Sequence, residues 1–509
     1  MGFEQIISEV LKTLNIEFIV LIGIGTFIGL IIGALPGLTT TMGIALLTGI
    51  TFKFTGHSAI ALLMGLYVGG VSGGSLSGVL IGIPGTPANA AATLDGFPLA
   101  MAGKGAQAIT ISRMASVMGT LFGVGCLAFF APFLTNLALK FTSAEFCLLG
   151  LFGVLISGTL TGADLPMKGW IAGIFGLTIG MIGMDELTAW QRLTFGSPEL
   201  FGGVPFIPIM IGFFGIPQVI EALMSEKDVL VAVLDKTKVR LKEILVHWWV
   251  AIRAGLIGVG IGIIPGVGED VAAWVSYGVA KKASKHPEEY GKGSIEGLVA
   301  AETADNACIG GAIIPLLSLG IPGSPPAAVL LGAFLIHGVR PGPMMSFEFP
   351  AFIYQAVSWL LLATLFMRFM AMWLARPMQK ILQIKNAILM PIVAVLCAIG
   401  AFSLDIRFID IVLVFFAGLL GLLFRKGKYP PAPLVLGIIL GPLVDTNFRR
   451  ALKASGGDFS IFVTRPIALA LLISIILLIL GQLGVFSAIR SKLRRNKLAD
   501  ALETSSTKE

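Results

Sequence analysis

The sequence predicts an all-α polytopic membrane protein with two related halves, expected to be inverted, that carry re-entrant or discontinuous helices. Composition points there first. Of 509 residues, 56% are hydrophobic and 13% charged, against roughly 25% charged residues in soluble domains. Mean hydropathy is +0.91. Apolar runs of about 20 residues then recur along the chain, each long enough to cross a hydrocarbon core of roughly 30 Å. Finally, one phrase is written twice: Gly82-Ile83-Pro84-Gly85-Thr86-Pro87 and Gly320-Ile321-Pro322-Gly323-Ser324-Pro325, each inside a long glycine-rich apolar stretch.

The same observations exclude other classes. The polar stretches Ser225–Lys242 and Lys281–Lys292 are too short to bury a core. The net charge of +7 lies in loops and in the tail Arg490–Lys497, the pattern of cytoplasmic segments, and does not indicate nucleic acid. Cys126, Cys147, Cys308 and Cys397 are scattered through apolar runs without metal-ligand spacing and read as buried thiols. Glu4 and Glu9 before the first apolar run, with no small-residue cleavage site, argue against a cleaved signal peptide. No Walker-type loop is present, so ATP is not the expected energy source. His57, His247, His286 and His337 are isolated, and no nucleophile–base set is visible within the apolar runs; neither a metal site nor an enzyme is expected.

Taken in order, Phe18–Leu35 is broken by Pro36-Gly37, and Thr39-Thr40-Thr41 opens a second run to Phe54. Ser58–Ile83 leads to the first Pro-Gly-Thr-Pro, followed by Ala88–Ala100 and the polar Lys104/Arg113 region. Runs follow at Thr110–Leu139, Ala144–Leu160, Lys168–Gly183 and the proline-containing Val204–Leu223. The pattern then returns: His247–Ile264 is broken by Pro265-Gly266, and Glu269-Asp270 open the next run to Val279. Ser294–Leu319 leads to Pro-Gly-Ser-Pro and Ala327–His337, with further runs at Phe349–Leu374, Asn386–Phe402, Ile409–Phe424, Pro430–Val444 and Arg465–Val485. Pro265 lies 229 residues after Pro36, and Pro322 lies 238 after Pro84, so the anchors agree within loop length. The chain therefore divides into a first membrane unit (1–224), a charged linker expected in the cytoplasm (225–246), a second membrane unit (247–488) and a basic tail (489–509). Basic residues on both sides of His247–Val279 suggest a re-entrant hairpin, with Phe18–Phe54 entering from the opposite face if the halves are inverted.

Proline ends a helix and glycine tolerates positive φ. A following hydroxyl residue is a preferred N-cap, and proline suits the first helical position. Each break thus reads as a stop and a fresh helix start at membrane depth, where irregular backbone survives only in protein or at a wet cavity. The four starts, near Thr39, Thr86, Glu269 and Ser324, each expose unpaired N–H groups and a partial positive charge. Interrupted segments at matching places in two halves are the pointer to a transporter binding site, here for an anion. The expected substrate contacts are Thr39, Thr40, Thr41, Gly85, Thr86, Asn89, Gly323 and Ser324, although plain capping explains Thr86 and Ser324 as well. Among the acidic residues Asp95, Glu269, Asp270, Glu302 and Asp305, membrane depth makes function the default reading. Cation coupling is expected at Glu269, Asp270 and Asn306, with Gly73, Gly74, Gly310 and Gly311 lining ion sites where helices unwind.

On Leu35–Gly43, Gly73–Pro87, Pro265–Asp270 and Leu319–Pro326, the chain resembles the large membrane subunit of the tripartite tricarboxylate transporters. The resemblance spans nearly the whole chain. It implies a secondary transporter of the bacterial cytoplasmic membrane that imports citrate or a related carboxylate by symport with sodium or a proton, without another cofactor. It also implies a periplasmic solute-binding protein, a small membrane subunit and an elevator-type motion. An anion channel or uncoupled carboxylate permease is the rival reading.

Overall fold

The computed structural model describes residues 15–161, 165–185, 187–224, 246–382, 384 and 386–482, together with Glu4, Ser8, Leu11 and Lys12. The expected linker, apart from its last residue, and the basic tail lie outside the described residues. The chain opens with α1 (Ile16–Ala34), α2 (Thr40–Thr51) and α3 (Gly56–Ile81). A 3₁₀ turn, Pro87–Asn89, leads into α4 (Ala90–Leu99), and a π turn, Ala100–Lys104, joins that to α5 (Gly105–Ala138). Then come α6 (Ser143–Thr161), α7 (Pro166–Gly180), a small hairpin of β1 (Gly183–Met184) and β2 (Gln191–Arg192), α8 (Phe206–Met210) and α9 (Ile216–Met224). The second half contains α10 (Trp248–Gly262), α11 (Gly268–Ala283), α12 (Ile295–Leu319), α13 (Pro325–Ile336), α14 (Met345–Glu348), α15 (Phe352–Ile381), α16 (Asn386–Asp405), α17 (Phe408–Lys426), α18 (Pro431–Ala454), α19 (Ile461–Thr464) and α20 (Pro466–Gln482). Among the described residues, eight helical stretches are long and apolar enough to cross a membrane. Over the described residues the protein is therefore all-α and polytopic, apart from the antiparallel hairpin between α7 and α8.

Two helices form the centre. Every residue of Ser58–Ile81 in α3 and of Gly297–Leu319 in α12 is buried, as expected of helices apolar on all sides. Glycine brings their neighbours into backbone contact, the usual device where lipid supplies no hydrophobic drive. A Cβ on Gly29 or Gly33 of α1 would stand 2.4 or 2.0 Å from the carbonyl oxygens of Leu66 and Gly70 in α3. The same contacts occur in the second half, where a Cβ on Gly258 or Gly262 of α10 would stand 2.3 or 2.7 Å from those of Ala304 and Cys308 in α12. These pairs match at the offsets of 229 and 238 residues read between the prolines. Helix α5 packs on an adjoining face of α12, where Gly119 and Gly123 meet the carbonyls of Thr303 and Ala307. Helices α6, α7, α18 and α20 form a second bundle beside this core.

The helix α18 outruns the expected Pro430–Val444 segment, passing through Pro442 to Ala454. Its polar extension has a partner that the sequence did not reveal. Arg449 pairs with Asp445 one turn earlier and with Asp185 in the β1–β2 turn, and Arg192 of β2 lies 3.0 Å from Asp445. The Leu187 N–H and Arg449 together hold the Asp185 carboxyl well below its ordinary range.

Candidate transport site

The four breaks form by two mechanisms. At the first and third, Gly37 and Gly266 adopt positive φ of 89° and 68° directly after proline, as the sequence implied. In the repeated phrase the left-handed residue is instead the first glycine: Gly82 (φ 67°) and Gly320 (φ 73°) cap α3 and α12. Their N–H groups donate to Gly78 and Leu316 carbonyls at 3.1 and 3.0 Å. The second glycine is there for space. A Cβ on Gly85 would stand 1.9 Å from the Gly33 carbonyl oxygen, and one on Gly323 1.9 Å from that of Gly262. Each break is thereby pressed against the break before it. The Gly85 and Gly323 N–H groups, expected to face substrate, donate instead to Gly74 and Ala312 carbonyls at 3.1 and 3.3 Å.

The hydroxyls diverge in role. Ser324 caps α13 by accepting from the Ala327 N–H at 3.3 Å, and Thr39 caps α2 by accepting from Met42 at 3.2 Å. Thr40 and Thr41 are buried in the first turn of α2, with Thr40 packed against Gly70 of α3. Thr86 caps nothing; its hydroxyl donates to Asn89 Oδ1 at 2.6 Å. Asn89 in turn donates from Nδ2 to Asp305 Oδ2 of α12 at 2.9 Å. This is a side-chain chain from the second break into the centre of the other half.

A second link runs the opposite way. The Tyr67 hydroxyl of α3 donates to Glu269 Oε1 in the first turn of α11. Its oxygen lies 2.7 Å from Ser324 Oγ; with the tyrosine proton committed to the carboxylate, the serine is the donor. Tyr67 and Ser324 are fully buried and Glu269 is 3% exposed, so the three polar groups satisfy one another. The 3₁₀ turn also packs on α11 and α12, and α2 packs on α13. All four breaks therefore belong to one connected region around α3 and α12.

Other expected residues are placed differently. The neighbours Glu269 and Asp270 are split: Glu269 faces inward and Asp270 is exposed. Gly73 and Gly74 lie inside unbroken α3, and Gly310 and Gly311 inside unbroken α12. The expected unwinding at these pairs does not occur, because the glycines serve close packing. A Cβ on Gly74 would stand 2.1 Å from Asn89 Oδ1, and one on Gly310 2.2 Å from the Gly123 backbone. Asn306 is buried, donates to the Glu302 carbonyl at 3.0 Å and accepts from Ser72 Oγ at 2.7 Å. Asp95 is a brace: its Oδ1 accepts the N–H groups of Gly291, Gly293 and Ser294, and its Oδ2 the Tyr277 hydroxyl.

Two residues of the region escaped the sequence reading. Tyr67 sits in an apolar run with nothing to mark it. Arg113 carried a signal, a basic residue inside what becomes a long helix; such residues at membrane depth are functional by default. Its guanidinium is 1% exposed, donates to the Ser72 carbonyl and to Ser112 Oγ, and lies 4.0 Å from Glu302. A cavity of about 620 Å³ lies away from this region, at the far ends of α2 and α13, lined by Phe52, Arg192, Phe206, Leu331, Leu335 and Ile438.

The chain matches the family model described as the tripartite tricarboxylate transporter TctA family over residues 19–436, a stretch containing all four breaks and every residue of the buried cluster. It is 36% identical over 488 residues, covering 93% of both chains, to an uncharacterized 52.8 kDa protein in the TAR-I ttuC′ 3′ region of Agrobacterium vitis. A second protein, in the TAR-II ttuC′ 3′ region of that organism, is 38% identical over 238 residues, 46% of this chain and 95% of its own length. No solved structure matches the chain. On the extent of these matches, the chain belongs to the tripartite tricarboxylate transporter TctA family.

Proposed function

We propose that this chain is the translocating subunit of a tripartite system that imports citrate or a related carboxylate, driven by sodium or a proton. Membership of the family makes it a transporter subunit rather than an enzyme and implies further subunits. The finer reading adds the bacterial cytoplasmic membrane, a small membrane subunit and a periplasmic solute-binding protein that hands over the substrate. One observation carries the mechanism: beside the fourth break the Tyr67 hydroxyl donates to a carboxylate, that of Glu269, while accepting from the Ser324 hydroxyl. Hydroxyl donors beside a helix start are the chemistry that binds a carboxylate without a fixed positive charge. A substrate carboxylate competes with Glu269 for the same donors. Neutral donors of this kind bind an anion and also release it.

Matched contacts at two constant offsets support two related halves, and we take them to be inverted. In this reading the body containing α1–α5 and α10–α13 moves as an elevator against α6, α7, α18 and α20. Uptake of radiolabelled citrate into proteoliposomes holding the assembled system tests it. Accumulation above the external concentration is expected, with loss when the sodium and proton gradients are both collapsed. Flux that survives collapse of both would make the chain an uncoupled permease or channel.

A further inference from the structure

We infer that Glu302 and Asp305 form one binding site for a monovalent metal cation, with Arg113 as its resident counter-charge, and that Asn89 connects its occupancy to Thr86 at the second break. The two carboxylates sit one turn apart on the same face of α12. Arg113, Glu302 and Asp305 are 1, 0 and 1% exposed. Glu302 Oε2 accepts from Ser116 Oγ at 2.8 Å, and Asp305 Oδ2 accepts from Asn89 at 2.9 Å. The other oxygen of each, Glu302 Oε1 and Asp305 Oδ1, is buried with no hydrogen-bond partner.

Such oxygens are costly unless something positive reaches them. Arg113 does so only in part. Its Nη1 and Nη2 donate to the Ser72 carbonyl and Ser112 Oγ, and its nearest approach to Glu302 is 4.0 Å, the limit of an ion pair. With both carboxylates ionised, one guanidinium leaves one negative charge, which one monovalent cation balances. Hard cations take oxygen ligands, and carboxylate and hydroxyl oxygens are what this site offers, with Ser116 beside Glu302. Because α12 is unbroken, side chains rather than freed carbonyls supply them. Asp305 then reads out to the break: Asn89 holds Asp305 with its amide and Thr86 with its carbonyl oxygen. A cation drawing Asp305 toward Oδ1 changes what Asn89 can offer Thr86. Its use in coupling rests on the transport reading above; the site itself rests on the geometry of α5 and α12.

Equilibrium binding of radiolabelled sodium to the purified full chain in lipid nanodiscs tests the site. Wild type should bind sodium saturably, Asp305→Asn should lose that binding, and Asn89→Ala should keep it. In the assembled system, Asn89→Ala should abolish the dependence of the citrate KM on sodium. If Asp305→Asn fails to give a monodisperse protein, Glu302→Gln serves in its place with the same expected loss. No saturable sodium binding by wild type, or undiminished binding by the carboxylate variant, overturns the site. A sodium-dependent KM in Asn89→Ala overturns the connection. Gradient-driven uptake by a wild type that binds no sodium would sink this inference alone; sodium binding without gradient dependence would sink the transport reading instead.

Discussion

Tyr67 is the residue on which the buried cluster turns. Its one hydroxyl serves a carboxylate from α11 and a cap from α13, and both are sealed from water. Removing it leaves Glu269 buried without its donor, a loss that costs about 1–3 kcal/mol. Tyr67→Phe is therefore expected to lower the apparent unfolding temperature in detergent and to raise the substrate KM. Ser324→Ala removes a helix cap worth about 1 kcal/mol along with a hydroxyl of the proposed site. Thr86→Ala removes no cap, so it should affect substrate affinity with a smaller change in stability. Equal loss of stability in the two variants, with unchanged uptake kinetics, would reduce both hydroxyls to scaffolding.

Between elements, close approach at glycine decides what packs. A methyl on Gly33 or Gly262 would stand 2.0 or 2.7 Å from a carbonyl oxygen on the neighbouring central helix. Backbone cannot give way as a flexible side chain does, so Gly33→Ala and Gly262→Ala should sharply reduce folded protein, in both halves alike. Gly260, in the same helix as Gly262, has nothing within 4 Å of a would-be Cβ. Gly260→Ala should be neutral or stabilising by about 0.5–1 kcal/mol, the ordinary gain in a helix interior. Recovery of monodisperse protein and its thermal unfolding measure both; a normal yield of Gly33→Ala would refute the packing account.

For the whole molecule, the question is which bodies move. Helix α6 belongs to the bundle with α7 and α18 yet touches the third break, where a Cβ on Gly153 would lie 3.1 Å from Pro265 Cβ. That is near the Cβ separation a disulfide spans. Gly153→Cys combined with Pro265→Cys should transport when reduced and stop when oxidised, if the breaks travel relative to α6. Undiminished uptake by the oxidised double variant would exclude the elevator motion proposed here.

The class, the order of the spans and the places where helices stop were legible from residue order alone. Hydropathy, proline and glycine act locally, and each helix satisfies its own backbone; thus α1 to α4 and α10 to α13 fall close to where composition and the repeated phrase put them. Which polar groups meet was settled by the packing of distant helices. It joined Tyr67 to residues 202 and 257 positions away and Asn89 to one 216 away. It also brought Arg113 beside Glu302, sent Asp270 outward, and turned Gly73, Gly74, Gly310 and Gly311 into contact points rather than breaks. The physical reason is that a helix's face is chosen by its neighbours. Spacing says which residues share that face, and only the packed partner across it says whether a carboxylate finds a donor or is left waiting for a cation.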